Sequence, residues 1–344
     1  MNNVKNYLNI ANDNRNVSEG EKIRTEFSKL KSDITFESFK SMFYRWKKGQ
    51  NKVKKSSVAK PVTKNFTSAE RTGEFDAILS KFDKGYNPLG LPESLETEYK
   101  PFKLPKNHND ILLLSDIHIP YHNIPALTIA IEYGIENNVN TILLNGDLID
   151  FYAISRFQKD PRKRNLAREI LLTREFLQML RRLFPKAAIY YKCGNHDARW
   201  DHYIMNNAPD LLGLDEFNFE SVMQLDKLDI TYIPDKQLIH AGKLTILHGH
   251  ELMRGIFSPV NVARGLFNAA KADALVGHHH QHSEHSEPNI NGKLINTYSV
   301  ACLSELHPDY APINKYAHGF AHVKVFENED YEVNNYKIIN GKIT

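Results

Sequence analysis

Cysteine is scarce in this chain: Cys193 and Cys302 are the only two among 344 residues. That excludes a disulfide scaffold and a cysteine-rich zinc site, and both thiols are expected to be buried packing. A dominant charge is also lacking. Lys and Arg number 44, Asp and Glu 41, and the formal net charge is +3, so the whole chain is neither a polybasic coat nor an acidic tail. No apolar run approaches the roughly 18 residues that a membrane span needs, so no membrane partner is expected. The opening residues, MNNVKNYLNIANDN, are polar, so no secretory leader is expected and the predicted location is the cytoplasm. What the chain has in abundance is histidine: 16 residues, 11 of them between His240 and His322.

Three regions follow from the patterning. Residues 1–55 read as a small helical, basic region. Ser18 and Glu21 form a capping box ahead of Ile23, Phe27 and Leu30, and Thr35 caps a second helix carrying Phe36, Phe39, Phe43 and Trp46. Between Lys40 and Lys64 there are nine Lys or Arg and no Asp or Glu; nine of one sign in a chain of net +3 leaves −6 on the rest. Residues 56–106 read as a linker with one helix over 68–82, broken afterwards by Pro88, Pro92, Pro101 and Pro105.

From residue 107 to 344 the pattern is that of one α/β domain. Ile111–Leu114, Thr141–Leu144 and Ala188–Tyr191 read as buried strands, with helices at Ala126–Glu136 and Leu166–Leu183 between them. Beyond Ile230 the strands crowd together (Ile230–Ile233, Leu244–His248, Ala274–Val276, Leu294–Ser299, Phe320–Phe326). Only one helical stretch, Pro259–Ala270, interrupts them, which predicts a second sheet.

Each of the first three strands runs into a polar cluster: Ser115-Asp116-Ile117-His118, Asn145-Gly146-Asp147-Leu148-Ile149-Asp150 and Cys193-Gly194-Asn195-His196-Asp197. Two later strands end in His248-Gly249-His250 and Gly277-His278-His279-His280. Any one of these could be an ordinary turn. Five of them at strand ends, where α/β sheets bind ligands, point to a shared site. Imidazole nitrogens with carboxylate or amide oxygens suit Mn²⁺, Fe or Zn²⁺ in a reactive site rather than a structural zinc.

In order, Asp-x-His, Gly-Asp-x-x-Asp, Gly-Asn-His-Asp, His and Gly-His-x-His resemble the calcineurin-like metallophosphoesterases, over roughly residues 110 to 330. The resemblance implies a two-sheet β-sandwich flanked by helices and two divalent metal ions at the strand ends; the mixed nitrogen and oxygen ligands make Mn²⁺ the expected metal, with Fe and Zn²⁺ as alternatives. It implies Asp116, His118 and His280 on one ion, Asn195, His248 and His278 on the other, and Asp147 bridging them. It also makes His196 the catalytic histidine, facing the scissile phosphate, with Asp150 as its carboxylate partner. The chemistry is consistent: two cations neutralise the phosphate oxygens and make a bridging hydroxide available for in-line attack, while His196 protonates the leaving oxygen.

The substrate is less legible. The protein phosphatase branch of this family continues its second motif into Asp-Arg-Gly and ends its third in Glu. Here Phe151-Tyr152 follow Asp150 and the third motif ends in Asp197, which is similar to the diesterase and exonuclease branches. The expectation is a phosphodiesterase, namely a nuclease. Its alternatives are a phosphomonoesterase acting on nucleotides or phosphoproteins and a nucleic-acid-binding adaptor with a non-catalytic scaffold. Lys159, Arg162, Lys163 and Arg164 are candidate phosphate contacts or a solvated helix start. The N-terminal helices resemble a helix-turn-helix, with nucleic acid as partner of residues 40–64, or else form a docking appendage or a plain linker. His250 is expected beside the ligands and His307 at the substrate cleft, while His279, His282 and His285 are expected to face away.

Overall fold

The computed structural model describes residues 99–344 except 253–255, 257–259 and 310, together with residues 28, 35–37, 39–40, 43–44, 91–92 and 95–96. The capping box at Ser18 and Glu21, most of the basic stretch 40–64 and the helix expected over 68–82 lie outside these residues. Two compact units divide between Leu95 and Glu96. In the first, Phe36, Phe39 and Phe43 are helical, Phe39 and Phe43 are buried, and the Phe39 amide donates to the Thr35 carbonyl at 3.0 Å. The expected start at Thr35 is therefore where the helix begins.

The second unit is an α/β fold of two sheets. Its seven-stranded sheet has the order β13-β12-β11-β2-β3-β4-β5, in which β2 (Asp110–Leu114), β3 (Thr141–Asn145), β4 (Ala188–Lys192) and β5 (Ile230–Ile233) run parallel. The other strands of this sheet, β11 (His318–Val325), β12 (Tyr331–Ile339) and β13 (Lys342–Ile343), join antiparallel to the β2 edge. The six-stranded sheet has the order β1-β6-β7-β8-β10-β9, from β1 (Phe102–Lys103), β6 (Ile239–Ala241), β7 (Leu244–Leu247), β8 (Ala274–Val276), β10 (Leu294–Ser299) and β9 (Ser283–Pro288).

Alternation along the strands explains the layers. On β2, Ile111 and Leu113 point between the sheets, where they meet Leu143, Tyr190, Ile246, Leu275 and Val323. Leu112 and Leu114 point the other way, with Ile142, Leu144 and Ile189, and are covered by Leu127 and Ile131 of α1 (Ile124–Glu136) and Leu177 and Leu180 of α2 (Leu166–Leu183). Asn123 and Asn165 cap these helices by accepting the amides of Ala126 and Arg168, each at 3.0 Å. The far face of the second sheet, at Leu247, Ala274 and Val276, is covered by Val262 and Leu266 of α5 (Val262–Ala270).

The expected strands and helices appear with end shifts of a few residues. The helix read from Pro259 starts at Val262, because Asn261 caps it by accepting the Arg264 amide. Among the elements that the pattern did not mark are β1, inside the expected linker; the short β6; β9, a polar edge strand; β12 and β13; and the helices α3 (Arg199–Asn207) and α4 (Phe219–Met223). Short helices and polar or edge strands bury too little apolar surface to leave a clear periodic signature. Among the described residues no helix is long and apolar enough to cross a membrane.

Candidate metal centre

All five polar clusters sit at carboxyl ends of strands, three following β2, β3 and β4 of one sheet and two following β7 and β8 of the other. The chain turns sharply as it leaves each strand. Asp116, His118, Asp147, His278 and His280 all hold left-handed backbone, with φ between 52° and 65°. Such a conformation costs a non-glycine residue about 1–3 kcal/mol and persists only where the surroundings impose it, and five of the seven expected ligands hold it. Gly194 allows the loops to close: a Cβ there would lie 2.3 Å from Asp147 Oδ1 and 2.4 Å from its amide nitrogen.

The side chains converge. Asp116, His118 and His280 offer ligand atoms within 4.8 Å of one another, and so do Asp147, His248 and His278. In the first group His280 Nε2 lies 3.3 Å from Asp116 Oδ1 and 3.2 Å from His118 Nε2. In the second, His248 Nε2 lies 3.3 Å from both Asp147 Oδ2 and Asn195 Oδ1. Asp147 Oδ2 is also 3.7 Å from His118 Nε2, so one oxygen faces both groups, while Oδ1 accepts the His196 amide at 2.8 Å.

Neighbouring groups select which atoms are free to ligate. The Ser115 hydroxyl and the His278 amide donate to Asp116 Oδ2 at 2.6 and 2.8 Å, and Oδ1 is left buried without a hydrogen bond, as is His278 Nδ1. An orphaned buried polar atom costs about 1–3 kcal/mol, so these two atoms call for a partner. His248 Nδ1 donates to the Asn145 carbonyl at 2.8 Å, which leaves the Nε2 lone pair facing the site.

The electrostatics agree. Burial penalises ionisation of Asp116 and Asp147, yet the imidazoles of His280 and His248 respectively hold both carboxyls below the usual carboxylate range. Burial alone would lower His248, but Asp147 raises it to about 10, and Asp116 likewise raises His280. The pocket thus draws positive charge to the points where the nitrogens and oxygens meet. Burial keeps His278 neutral, its pKa down at about 4, as a ligand requires. The donor set fits divalent cations.

Beside the two groups, Asp150 Oδ2 stands between two imidazoles, 3.2 Å from His118 Nδ1 and 3.3 Å from His196 Nδ1. The carboxylate expected to serve His196 therefore orients His118 as well. Burial opposes the His196 imidazolium, but Asp147 and Asp150 outweigh it and raise its pKa above the ordinary histidine value.

Of the candidate substrate contacts, Arg162 is exposed and pairs with Asp160 at 2.7 Å, and Lys163 pairs with Asp309. Arg164 lines a cavity with Asn195, and His307 lines a second with His118 and Asp150. His250, expected beside the ligands, has its ring centroid 5.4 Å from that of His248, and its Nε2 pairs with Asp235 at 2.5 Å. His282 hydrogen-bonds the Asn335 carbonyl at 2.9 Å and His285 lies 3.1 Å from Glu287, both away from the centre. Cys193 and Cys302 are buried and free.

Three residues to which the sequence reading gave no role shape the site. Asp197 accepts the amides of Asp147 and Gly194 at 2.8 and 2.7 Å and the Tyr191 hydroxyl at 2.7 Å, tying the second and third loops together. Arg199 donates to the Asp150 carbonyl at 2.7 Å and to His196 Nε2 at 3.0 Å. Glu251 accepts the amides of His248 and Gly249 at 2.9 and 2.6 Å. Position alone could have flagged Asp197 and Arg199, since both follow His196 within three residues.

Comparison with known proteins gives the chain's relatives. The Gene 54 proteins of Mycobacterium phages L5 and D29 are each 27% identical over 180 residues, covering 50% of this chain and 69% of theirs. Solved structures that align include a Vps29 variant from Entamoeba histolytica (14% identity, 68% of this chain, 96% of that one, TM-score 0.36). Another is Yfce, a phosphoesterase from E. coli (13% identity, 66% and 98% covered, TM-score 0.29). The family profile described as calcineurin-like phosphoesterase matches residues 110–318, the span holding all five strand-end clusters, and the chain belongs to that family.

Proposed function

We propose that the chain is a metal-dependent phosphodiesterase that cuts nucleic acid in the cytoplasm, by direct attack of water on phosphorus. The observation that carries this reading is Asp147, one oxygen facing both histidine groups while the other receives the amide of His196. Two divalent cations, one held by Asp116, His118 and His280, the other by Asn195, His248 and His278, with Asp147 between them, would neutralise the phosphate oxygens and make hydroxide available near neutral pH. Mixed nitrogen and oxygen donors without thiolate favour Mn²⁺, ahead of Fe and Zn²⁺.

The protein's own groups do the rest. Asp150 holds the His196 ring, whose proton is passed to the leaving oxygen. Arg199 adds a charged donor for a phosphate oxygen. Cavities adjoin the centre at Asn195 and Arg199 and at His118 and Asp150, which leaves room for a substituent on more than one side of the phosphorus and favours a diester over a monoester. The basic stretch 40–64 favours a polyanionic substrate, because cations along a strand release its counterions.

The test uses metal-free protein resupplied with Mn²⁺. Bis(4-nitrophenyl) phosphate and end-labelled DNA should be cut, 4-nitrophenyl phosphate much more slowly, and His196→Ala should abolish cleavage. Preference for the monoester would select the phosphomonoesterase reading. Metal binding without cleavage of any ester would select the adaptor.

A further inference from the structure

We infer that the cavity beside Asn195 is a subsite for one nucleotide of a single strand, holding its base against exposed aromatic rings and its phosphates on arginines. This rests on the phosphodiesterase reading and names its substrate.

The cavity measures about 560 Å³, within the range of about 300–1,000 Å³ typical of small-molecule pockets. It lies between the loop after β3, which supplies Arg156, Phe157 and Arg164, and α3, which supplies Arg199 and Tyr203; Asn195 closes the end at the metal centre. Phe157 is 62% exposed and Tyr203 37%, large ring surfaces left to solvent at the edge of a charged site. The Arg156 guanidinium lies over the Phe157 ring at 5.2 Å, an arrangement that stiffens the ring and keeps the cation beside it. Among the described residues neither Arg156 nor Arg164 forms an ion pair, unlike their neighbours Arg162 and Lys163.

Unneutralised arginines interleaved with exposed rings are the chemistry that recognises single-stranded nucleic acid: guanidinium for phosphate, ring face for any base. A base inside an intact duplex has both faces covered and cannot reach such a ring without being extruded. A phosphoprotein has no flat ring at each residue to use the aromatic half of the site. Because the cavity abuts Asn195 and Arg199, the bound nucleotide would be the one next to the phosphate being cut.

The experiment measures binding rather than turnover. Full-length protein carrying His196→Ala, loaded with Mn²⁺, is titrated against three fluorescent oligonucleotides by anisotropy: a single strand, the same strand annealed, and an abasic strand. Phe157→Ala and Tyr203→Ala, both surface changes, should each weaken single-strand binding about 5- to 100-fold and leave the abasic strand unaffected. Arg156→Ala and Arg164→Ala should weaken both single strands. Equal binding of duplex and single strand, or an aromatic substitution that affects the abasic strand as much as the natural one, would overturn the subsite. Failure of the parent reading is separate: it shows as wild-type protein that leaves bis(4-nitrophenyl) phosphate intact.

Discussion

Lys192 and Glu251 pair their largely buried side chains, 3.2 Å between Nζ and Oε1, directly beneath the turn that presents His248. Lys192 is the last residue of β4 and also donates to the Cys193 carbonyl at 3.0 Å. Burial alone would raise the Glu251 carboxyl, but Lys192 holds it down at about 2, so it stays ionised to accept the His248 and Gly249 amides. The pair ties one sheet's strand end to the other's ligand loop.

Removing one member of such a pair strands the other charge in the interior. Glu251→Ala is expected to cost about 3–5 kcal/mol in chemical denaturation. Because it also frees the His248 turn, it should weaken binding of the second metal ion by about tenfold or more in a chelator competition. An unchanged metal affinity alongside lost stability would reduce the pair to a purely structural role.

Asp147 and His280 should differ in metal stoichiometry. Asp147 Oδ2 faces both groups, so Asp147→Ala should lower bound metal at both positions, whereas His280 faces only Asp116 and His118, so His280→Ala should spare one ion. Elemental analysis of dialysed protein reads this directly. Equal losses in the two variants would contradict a shared Asp147.

Arg199 is placed to switch partners. Its guanidinium nitrogen lies 3.0 Å from His196 Nε2, a contact that is a hydrogen bond only while that imidazole nitrogen is unprotonated. For His196 to protonate a leaving oxygen, the guanidinium must turn to an anionic oxygen instead. Arg199→Ala should lower kcat/KM for a small diester by about 10- to 100-fold, and Arg199→Lys should restore part of it. Metal content should not change.

Glu169 on α2 accepts the amides of Tyr152 and Ala153 at 2.8 and 3.1 Å, and burial raises its carboxyl to about 7. A carboxyl whose folded pKa is raised contributes stability that is complete below its unfolded value and is lost as pH climbs through the folded one. Wild-type Tm should therefore fall relative to Glu169→Gln between about pH 5 and about pH 8. A constant difference across that interval would show that Glu169 is ionised throughout.

Short apolar runs such as Ile111–Leu114, the helical stretches between them and the strand-end Asp, Asn and His clusters are local features, and from them the α/β fold, its main strands and the candidate ligands were legible. So was the family, because its spacings lie within short motifs. The tertiary structure alone decided the partners. His248 and His250 are two residues apart, yet one faces Asp147 and the other Asp235. Glu251 meets Lys192 from 59 positions away, and Asp150 serves His118 as well as His196. Local periodicity sets which side of its own strand a residue faces. What lies opposite depends on the register of distant segments, and a single segment carries no signal of that.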